Sequence, residues 1–172
     1  MGSDVVATGS GTINLTGLKY LGWNEGLTGS QPALGGITLG NSGPSFDDIY
    51  TGFTGSAVFG TGGFTFANDG SGDYAGIVVS NNTLAVPEGY VSGAALSDRS
   101  TYYSESFASL GVTQGAYVWN WGTTAAGDSD SFTLDVGTIA VPEPGSLLLF
   151  GTALIGLAII GRRHHSGSGI AR

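Results

Sequence analysis

Tyr117-Val118-Trp119-Asn120-Trp121 places an aromatic side chain at every second position. Successive residues of a β-strand point to opposite faces, so these three aromatics share one face and Asn120 lies on the other. The same period of two recurs in Thr12-Ile13-Asn14-Leu15-Thr16 and in Phe132-Thr133-Leu134-Asp135-Val136. Such alternation marks strands with one buried and one solvated face. Ile13, Leu15, Phe132, Leu134 and Val136 are therefore expected to face inwards.

Outward from these segments, further strand candidates are Gly36–Leu39, Asp48–Phe53, Ser56–Phe59, Phe64–Ala67, Tyr74–Ser80 and Tyr90–Ala95. Asn41-Ser42-Gly43-Pro44, the run from Asn68 to Asp73 and the run from Thr123 to Asp130 have turn and loop compositions. Tyr102 to Leu110 reads either as a strand or as one helical turn. The chain holds 32 glycines, and glycine costs a helix roughly 1 kcal/mol per position relative to alanine. Short strands and tight turns are the expected outcome. The expected fold is all-β: an antiparallel β-sandwich or jelly roll over residues 1–140. No fixed-period repeat argues for a solenoid.

Composition narrows the chemistry. With no cysteine, neither a disulfide nor a thiolate nucleophile or ligand is available. Both histidines, His164 and His165, fall at the far C-terminal end. Residues 1–140 therefore have no imidazole for a Ser-His-Asp relay or a metal centre. No cofactor is expected, and no enzymatic activity, although paired carboxylates for glycoside hydrolysis are formally available. Before Val141, Lys19 and Arg99 face twelve carboxylates, a formal charge of about −10. Such a surface repels phosphate backbones, so nucleic acid is not an expected partner.

A few side chains in residues 1–140 carry candidate chemistry. Asp69-Gly70-Ser71-Gly72-Asp73 resembles a calcium-loop fragment in composition, with Asp69 and Asp73 as candidate metal ligands. It lacks the spacing and terminal Glu of an EF-hand, and a glycine-rich hairpin turn explains it as well. Asp128-Ser129-Asp130 and Asp47-Asp48 take the same reading. Trp119 and Trp121, with Tyr117, could form a sugar-stacking face or fill the core, and the alternation favours the core. Trp23, in Tyr20-Leu21-Gly22-Trp23-Asn24-Glu25, reads as lying near a turn and is the better candidate for an exposed stacking residue. Asn14-Leu15-Thr16 and Asn81-Asn82-Thr83 match the glycosylation acceptor pattern, with Asn14 expected to be structural.

The C-terminal part changes character. Val141-Pro142-Glu143-Pro144 is expected to be an extended, exposed linker over residues 141–146, because proline lacks an amide donor and biases its predecessor to extended backbone. Leu147 to Ile160 carries no charge. Gly145 to Gly161, 17 residues, would span roughly 25 Å as a helix. That is the short limit for a bilayer core of roughly 30 Å. A single transmembrane helix is expected over 147–161. Arg162 and Arg163 follow it and mark the cytoplasmic flank. Residues 162–172 read as a basic, disordered tail.

Val141-Pro142-Glu143-Pro144, the apolar run and Arg162-Arg163 together resemble the PEP-CTERM sorting domain of Gram-negative bacteria. The resemblance implies a secreted protein recognised transiently by an exosortase, a membrane cysteine transpeptidase that cuts at or near the Pro-Glu-Pro motif. Arg162 and Arg163 would retain the substrate at the cytoplasmic side. The implied route runs from an inner-membrane precursor to the cell surface or extracellular matrix, with exopolysaccharide as a candidate partner. Ser10 to Leu18, Phe107 to Gly122 and Asp130 to Leu134 also resemble strands of the ectodomains that often carry this signal. The implied role is structural or matrix-associated, with a carbohydrate-binding module as the alternative. Two departures stand out. Met1-Gly2-Ser3-Asp4 shows neither the basic nor the apolar region of a cleavable secretion signal, which suggests a start set too late or a truncation. His164 to Arg172 extends beyond the usual basic end, as a natural extension or a frame change.

Overall fold

A computed structural model describes residues 4–137. The expected linker, transmembrane helix and basic tail at 141–146, 147–161 and 162–172 lie outside the described residues. The described part is all-β, and every pairing in it is antiparallel. The strands are β1 (Val5–Thr12), β2 (Lys19–Gly26), β3 (Gly29–Gln31), β4 (Gly36–Leu39), β5 (Ser45–Thr51), β6 (Thr54–Gly55) and β7 (Thr65–Phe66). They continue as β8 (Asp69–Gly72), β9 (Ala75–Val78), β10 (Thr83–Pro87), β11 (Ala95–Tyr102), β12 (Gly115–Trp121) and β13 (Asp130–Val136). A seven-stranded sheet runs β2-β5-β10-β9-β4-β3-β7, and two three-stranded sheets run β1-β11-β8 and β13-β12-β6.

Two hairpins form the middle of the large sheet. β3–β4 and β9–β10 each turn through a 3-10 segment, Pro32–Leu34 and Val79–Asn81, closed by a left-handed residue, Gly35 or Asn82. β9 joins the hairpins in register, so that Ile37 faces Ile77 and Ile77 faces Leu84. Ile77, Leu84 and Val86 are completely buried. Ile37, Leu39, Ala75 and Leu96 join them in one cluster with Ile13, Phe53, Phe59, Trp119 and Trp121. Fully burying an aliphatic side chain contributes about 1.5–3 kcal/mol, so this row and the aromatics packed on it are both substantial sources of stability. Trp119 donates its indole N–H to Ser56 O at 2.7 Å, and Trp121 donates to Asn14 O at 2.7 Å. The two indoles thus bury their ring surface without leaving a donor unpaired.

The opposite face of the large sheet carries Thr38, Gly76, Ala85 and Asp47, placed there by the same registers. The chain from β2 to β3 crosses beneath that face. Thr38 Oγ1 donates to Leu27 O at 2.9 Å and accepts from Gly29 N at 3.2 Å. The Tyr74 hydroxyl reaches Leu27 O at 3.5 Å. Gly26 is required here: an added Cβ would lie 2.5 Å from Tyr74 Cζ and 2.9 Å from Asp47 Oδ1. Asp47 is 1 % exposed, and its Oδ1 has no hydrogen-bond partner. Burial pushes its pKa up to about 6, helped by Asp48 and opposed by the Gly26 amide. Asp98, packed against Gly9 across the β1–β11 pair, is likewise pushed up to about 6, by burial first and opposed by the Gly9 amide.

Several expectations are corrected. Asn68 to Asp73 is no hairpin turn: Asp69–Gly72 is β8 and pairs with β11. Its glycines are needed for close packing, since a Cβ on Gly70 would strike Gly40 O and one on Gly72 would strike Ser97 O. The first strand ends at Thr12, while Ile13 is buried and Leu15 packs against the core from the following coil. Of the expected strand Tyr90–Ala95 only Ala95 is strand, the first residue of β11; the residues before it form a turn closed by the Ala94 N–H to Val91 O bond at 2.9 Å. Ser56–Phe59 is not a strand, yet Phe59 is buried. After β11 the chain makes one helical turn, with Leu110 N–H donating to Ser106 O at 3.0 Å, one of the two forms expected for Tyr102 to Leu110. Phe132 and Leu134 pack against the core as expected.

Two predictions follow from this packing. Trp119→Ala should cost about 3–5 kcal/mol in chemical denaturation, whereas Trp23→Ala, on the exposed flank, should stay within about 0.5 kcal/mol. The second concerns pH. Asp47 and Asp98 bind their protons more tightly folded than unfolded, so stability is greatest below the unfolded carboxylate pKa and falls as pH rises towards 6. Stability should therefore fall between pH 4.5 and 7 by on the order of 1–3 kcal/mol per carboxylate, read as a decreasing melting temperature. Asp47→Asn, which mimics the protonated acid, should stabilise the protein at pH 7 and flatten that profile.

Candidate functional site

The core-facing side of the large sheet does not end where the core ends. Tyr50 pairs with Leu84, and Asp48 with Val86, so both project to the same side as that buried row. One strand further out, Tyr20 pairs with Tyr50, Trp23 with Asp48 and Glu25 with Phe46. Tyr50 still packs against the core. Beyond it Trp23 is 67 % exposed, Phe46 55 % and Tyr20 50 %. The Tyr20 and Tyr50 rings lie 5.3 Å apart at 59°, and Trp23 and Phe46 lie 5.9 Å apart at 68°. The aromatic face thus runs from the core out into solvent.

Carboxylates are set among these rings. Tyr20 donates its hydroxyl to Asp48 Oδ1 at 3.2 Å, and Gly89 N donates to Asp48 Oδ2 at 2.9 Å. Both tyrosine pKa values are raised, by desolvation first; the Tyr20–Asp48 hydrogen bond and the Asp48 charge add to Tyr20, and the Asp48 charge adds to Tyr50. Both phenols therefore remain neutral donors near pH 7. Lys19 pairs with Thr51 one position along and so points to the opposite face. Leu21 is an extra residue in β2, a bulge between Tyr20 and Gly22. A bulge twists an edge strand and disrupts the regular hydrogen-bonding row, which protects the edge from pairing with another chain.

The other candidates are placed differently. Trp23 lies within a strand rather than near a turn. Trp119 and Trp121 are 0 % and 3 % exposed, so a sugar can stack on neither. Asp69 sits at the start of β8, and Asp73 lies beyond its end, with Oδ2 accepting from Ser97 N at 2.8 Å. Extended backbone between them separates the two on the order of 10 Å, so they are not brought together. Among the described residues no group of three or more His, Cys, Asp or Glu side chains gathers to hold a metal ion. Asp128 accepts from Thr123 N at 2.6 Å, and Asp130 from Asn14 N at 2.7 Å. Asn14 Oδ1 accepts from Thr16 N at 3.0 Å. These groups satisfy loop amides. Asp47 and Asp48 point to opposite faces of β5.

Tyr20, Phe46 and Tyr50 are not singled out by the sequence as site residues, and Asp48 appears there only with Asp47 as a discounted metal candidate. Strand pairing, not proximity in the chain, unites them; the available signal was the alternation Phe46-Asp47-Asp48-Ile49-Tyr50, whose aromatic ends share a face.

The sorting candidates Val141, Pro142, Glu143, Pro144, Arg162 and Arg163 lie outside the described residues. Among the described residues no helix is long and apolar enough to cross a membrane. No curated protein and no solved structure matches the chain. Residues 140–163 match the PEP-CTERM protein-sorting motif. The chain therefore carries a PEP-CTERM sorting motif behind a domain of antiparallel β-sheets, and this motif implies processing by an exosortase and sorting to the cell surface.

Proposed function

We propose that this is a secreted β-sandwich protein with a structural role at the cell surface or in the exopolysaccharide matrix. The single observation that carries this reading is the sorting motif at 140–163, which begins shortly after the last described strand, β13. In this proposal residues 147–161 hold the precursor in the inner membrane as a helix. Arg162 and Arg163 resist translocation and fix its orientation. Pro142 and Pro144 keep the backbone between them from pairing, so a membrane peptidase can grip it. The exosortase then cuts at or near Pro142-Glu143-Pro144 and releases or transfers the domain.

A non-catalytic role is supported by the chemistry in reach: the only histidines follow the apolar run, and the carboxylates of Asp73, Asp128 and Asp130 are occupied with backbone amides. The second reading, a carbohydrate-binding module, is favoured by one observation, the exposed Trp23 ring beside Phe46.

The test is a triple substitution, Pro142→Ala with Glu143→Ala and Pro144→Ala, in an exosortase-positive host with a working signal peptide supplied. Immunoblots should show uncleaved precursor in the membrane fraction and loss of the surface form, while the melting temperature is unchanged. Cleavage that continues at the wild-type rate would overturn the assignment of the cut site.

A further inference from the structure

We propose that the β2–β5 flank binds a linear glycan bearing protonated amino groups, with Trp23 and Phe46 as the stacking walls and Asp48 as the central anion. The inference rests on the surface destination argued above and names a ligand class for this one face.

The geometry narrows the choice of occupant. The two aromatic pairs, Tyr20–Tyr50 and Trp23–Phe46, are set four residues apart along β5, roughly 13 Å for extended backbone. An occupant that touches both is a chain rather than a single small molecule. A second copy adding its own β2 would have to pair along a strand whose register is broken at Leu21, and Gly22 there has φ 136°. An antiparallel partner must keep alternate side chains on one face throughout, and the bulge breaks that alternation. The platform is thus presented by its face while its edge is guarded.

Charge then selects among chains. Asp48 lies between Phe46 and Tyr50 along β5, directly opposite Trp23, Glu25 stands opposite Phe46, and the Glu88 amide bonds Phe46 O at 3.3 Å. Lys19, on this same strand, points to the other face. An anionic polymer would be repelled by these carboxylates and by the charge of the whole domain. A protonated amine gains both from the carboxylates and from the exposed indole and phenyl faces. A pyranose ring in addition offers a C–H face that stacks on an aromatic plane, and its hydroxyls can bond the free lone pairs of Asp48. A linear glycan with free amino groups combines the positive charge, the C–H faces and the length that this face selects.

The test uses the full chain in detergent, titrated with a glucosamine hexamer, its fully N-acetylated counterpart and a lysine hexapeptide. Trp119 and Trp121 are buried and bonded, so a change in tryptophan emission reports Trp23. The glucosamine hexamer should give a saturable blue shift and bind about tenfold or more tighter than either other probe, a difference worth ~1.4 kcal/mol. By calorimetry, Trp23→Ala should abolish this binding without altering net charge, and Trp23→Phe should retain part of it. Asp48→Asn should weaken it several-fold, whereas Asp135→Asn, on β13, should not. Equal affinity for the N-acetylated hexamer would overturn the role of the amine. Equal affinity for the lysine peptide would overturn the glycan. Equal losses in Asp48→Asn and Asp135→Asn would reduce the effect to bulk charge and overturn the site. A dimer that dissociates on Trp23→Ala would put a second copy on the face instead. None of these measurements involves an exosortase, so failure here leaves the sorting reading standing, and failure of sorting leaves this binding test intact.

Discussion

Water exclusion from both faces of β4, β9 and β10 is the constraint on which the rest of the domain depends. On one face Ile37, Ile77 and Leu84 form a row across three strands, with Leu39 and Val86 beside it. On the other face lie Thr38, Gly76 and Ala85, small side chains that let the β2–β3 crossover come close. A chain with so much glycine loses much conformational entropy on folding. Burying this aliphatic row together with Phe59, Trp119 and Trp121 in one cluster offsets that loss. The hairpins that carry the row must therefore register to the residue, because a slip by one would exchange Ile77 with Gly76 on the core side. The left-handed closures at Gly35 and Asn82 pin that register.

The same constraint explains the costs the fold carries elsewhere. The crossover beneath the second face brings backbone carbonyls into the interior, and Thr38 and Tyr74 are there to satisfy them. Asp47 is drawn in with them, beside Gly26, and keeps one oxygen without a partner. Its elevated proton affinity is a consequence of burial. At the flank the core row outruns its cover. Tyr50 is half in and half out, and Trp23, Phe46 and Tyr20 stand in solvent. An exposed aromatic row beside a bulged edge is a property of the face, while the bulge discourages strand pairing along the edge.

Legibility in the sequence followed the physics of each strand. β4 was read with its observed bounds, Gly36–Leu39, because turn signals bracket a short apolar run. β12 and β13 were visible through strict alternation, and their inward faces were identified correctly for Trp119, Trp121, Phe132 and Leu134. β8 was hidden because Asp69-Gly70-Ser71-Gly72 has the composition of a loop; its glycines answer to Gly40 O and Ser97 O, neighbours that no local window contains. β11 was hidden for a different reason. Ser97-Asp98-Arg99-Ser100-Thr101 is polar throughout, although it is the middle strand of its sheet. Ser100 is completely buried there, accepting from Gly40 N at 3.2 Å. The exposed flank was half legible: Trp23 could be singled out as one exposed aromatic, but Phe46, Tyr50 and Asp48 join it only through the β2–β5 register.

The sorting motif, by contrast, is legible because its parts are read in order along the chain rather than assembled by folding. Its meaning is chemical: a proline-held segment, an uncharged run and a pair of arginines in one sequence. The most direct test of the whole account is the intact mass of the mature protein recovered from the surface of an exosortase-positive host. The account predicts a C-terminus at or near Pro142-Glu143-Pro144, with Leu147 to Ile160 absent and the β-domain whole. A surface form that retains Leu147 to Arg172, with the same mass in a host lacking the exosortase, would contradict it.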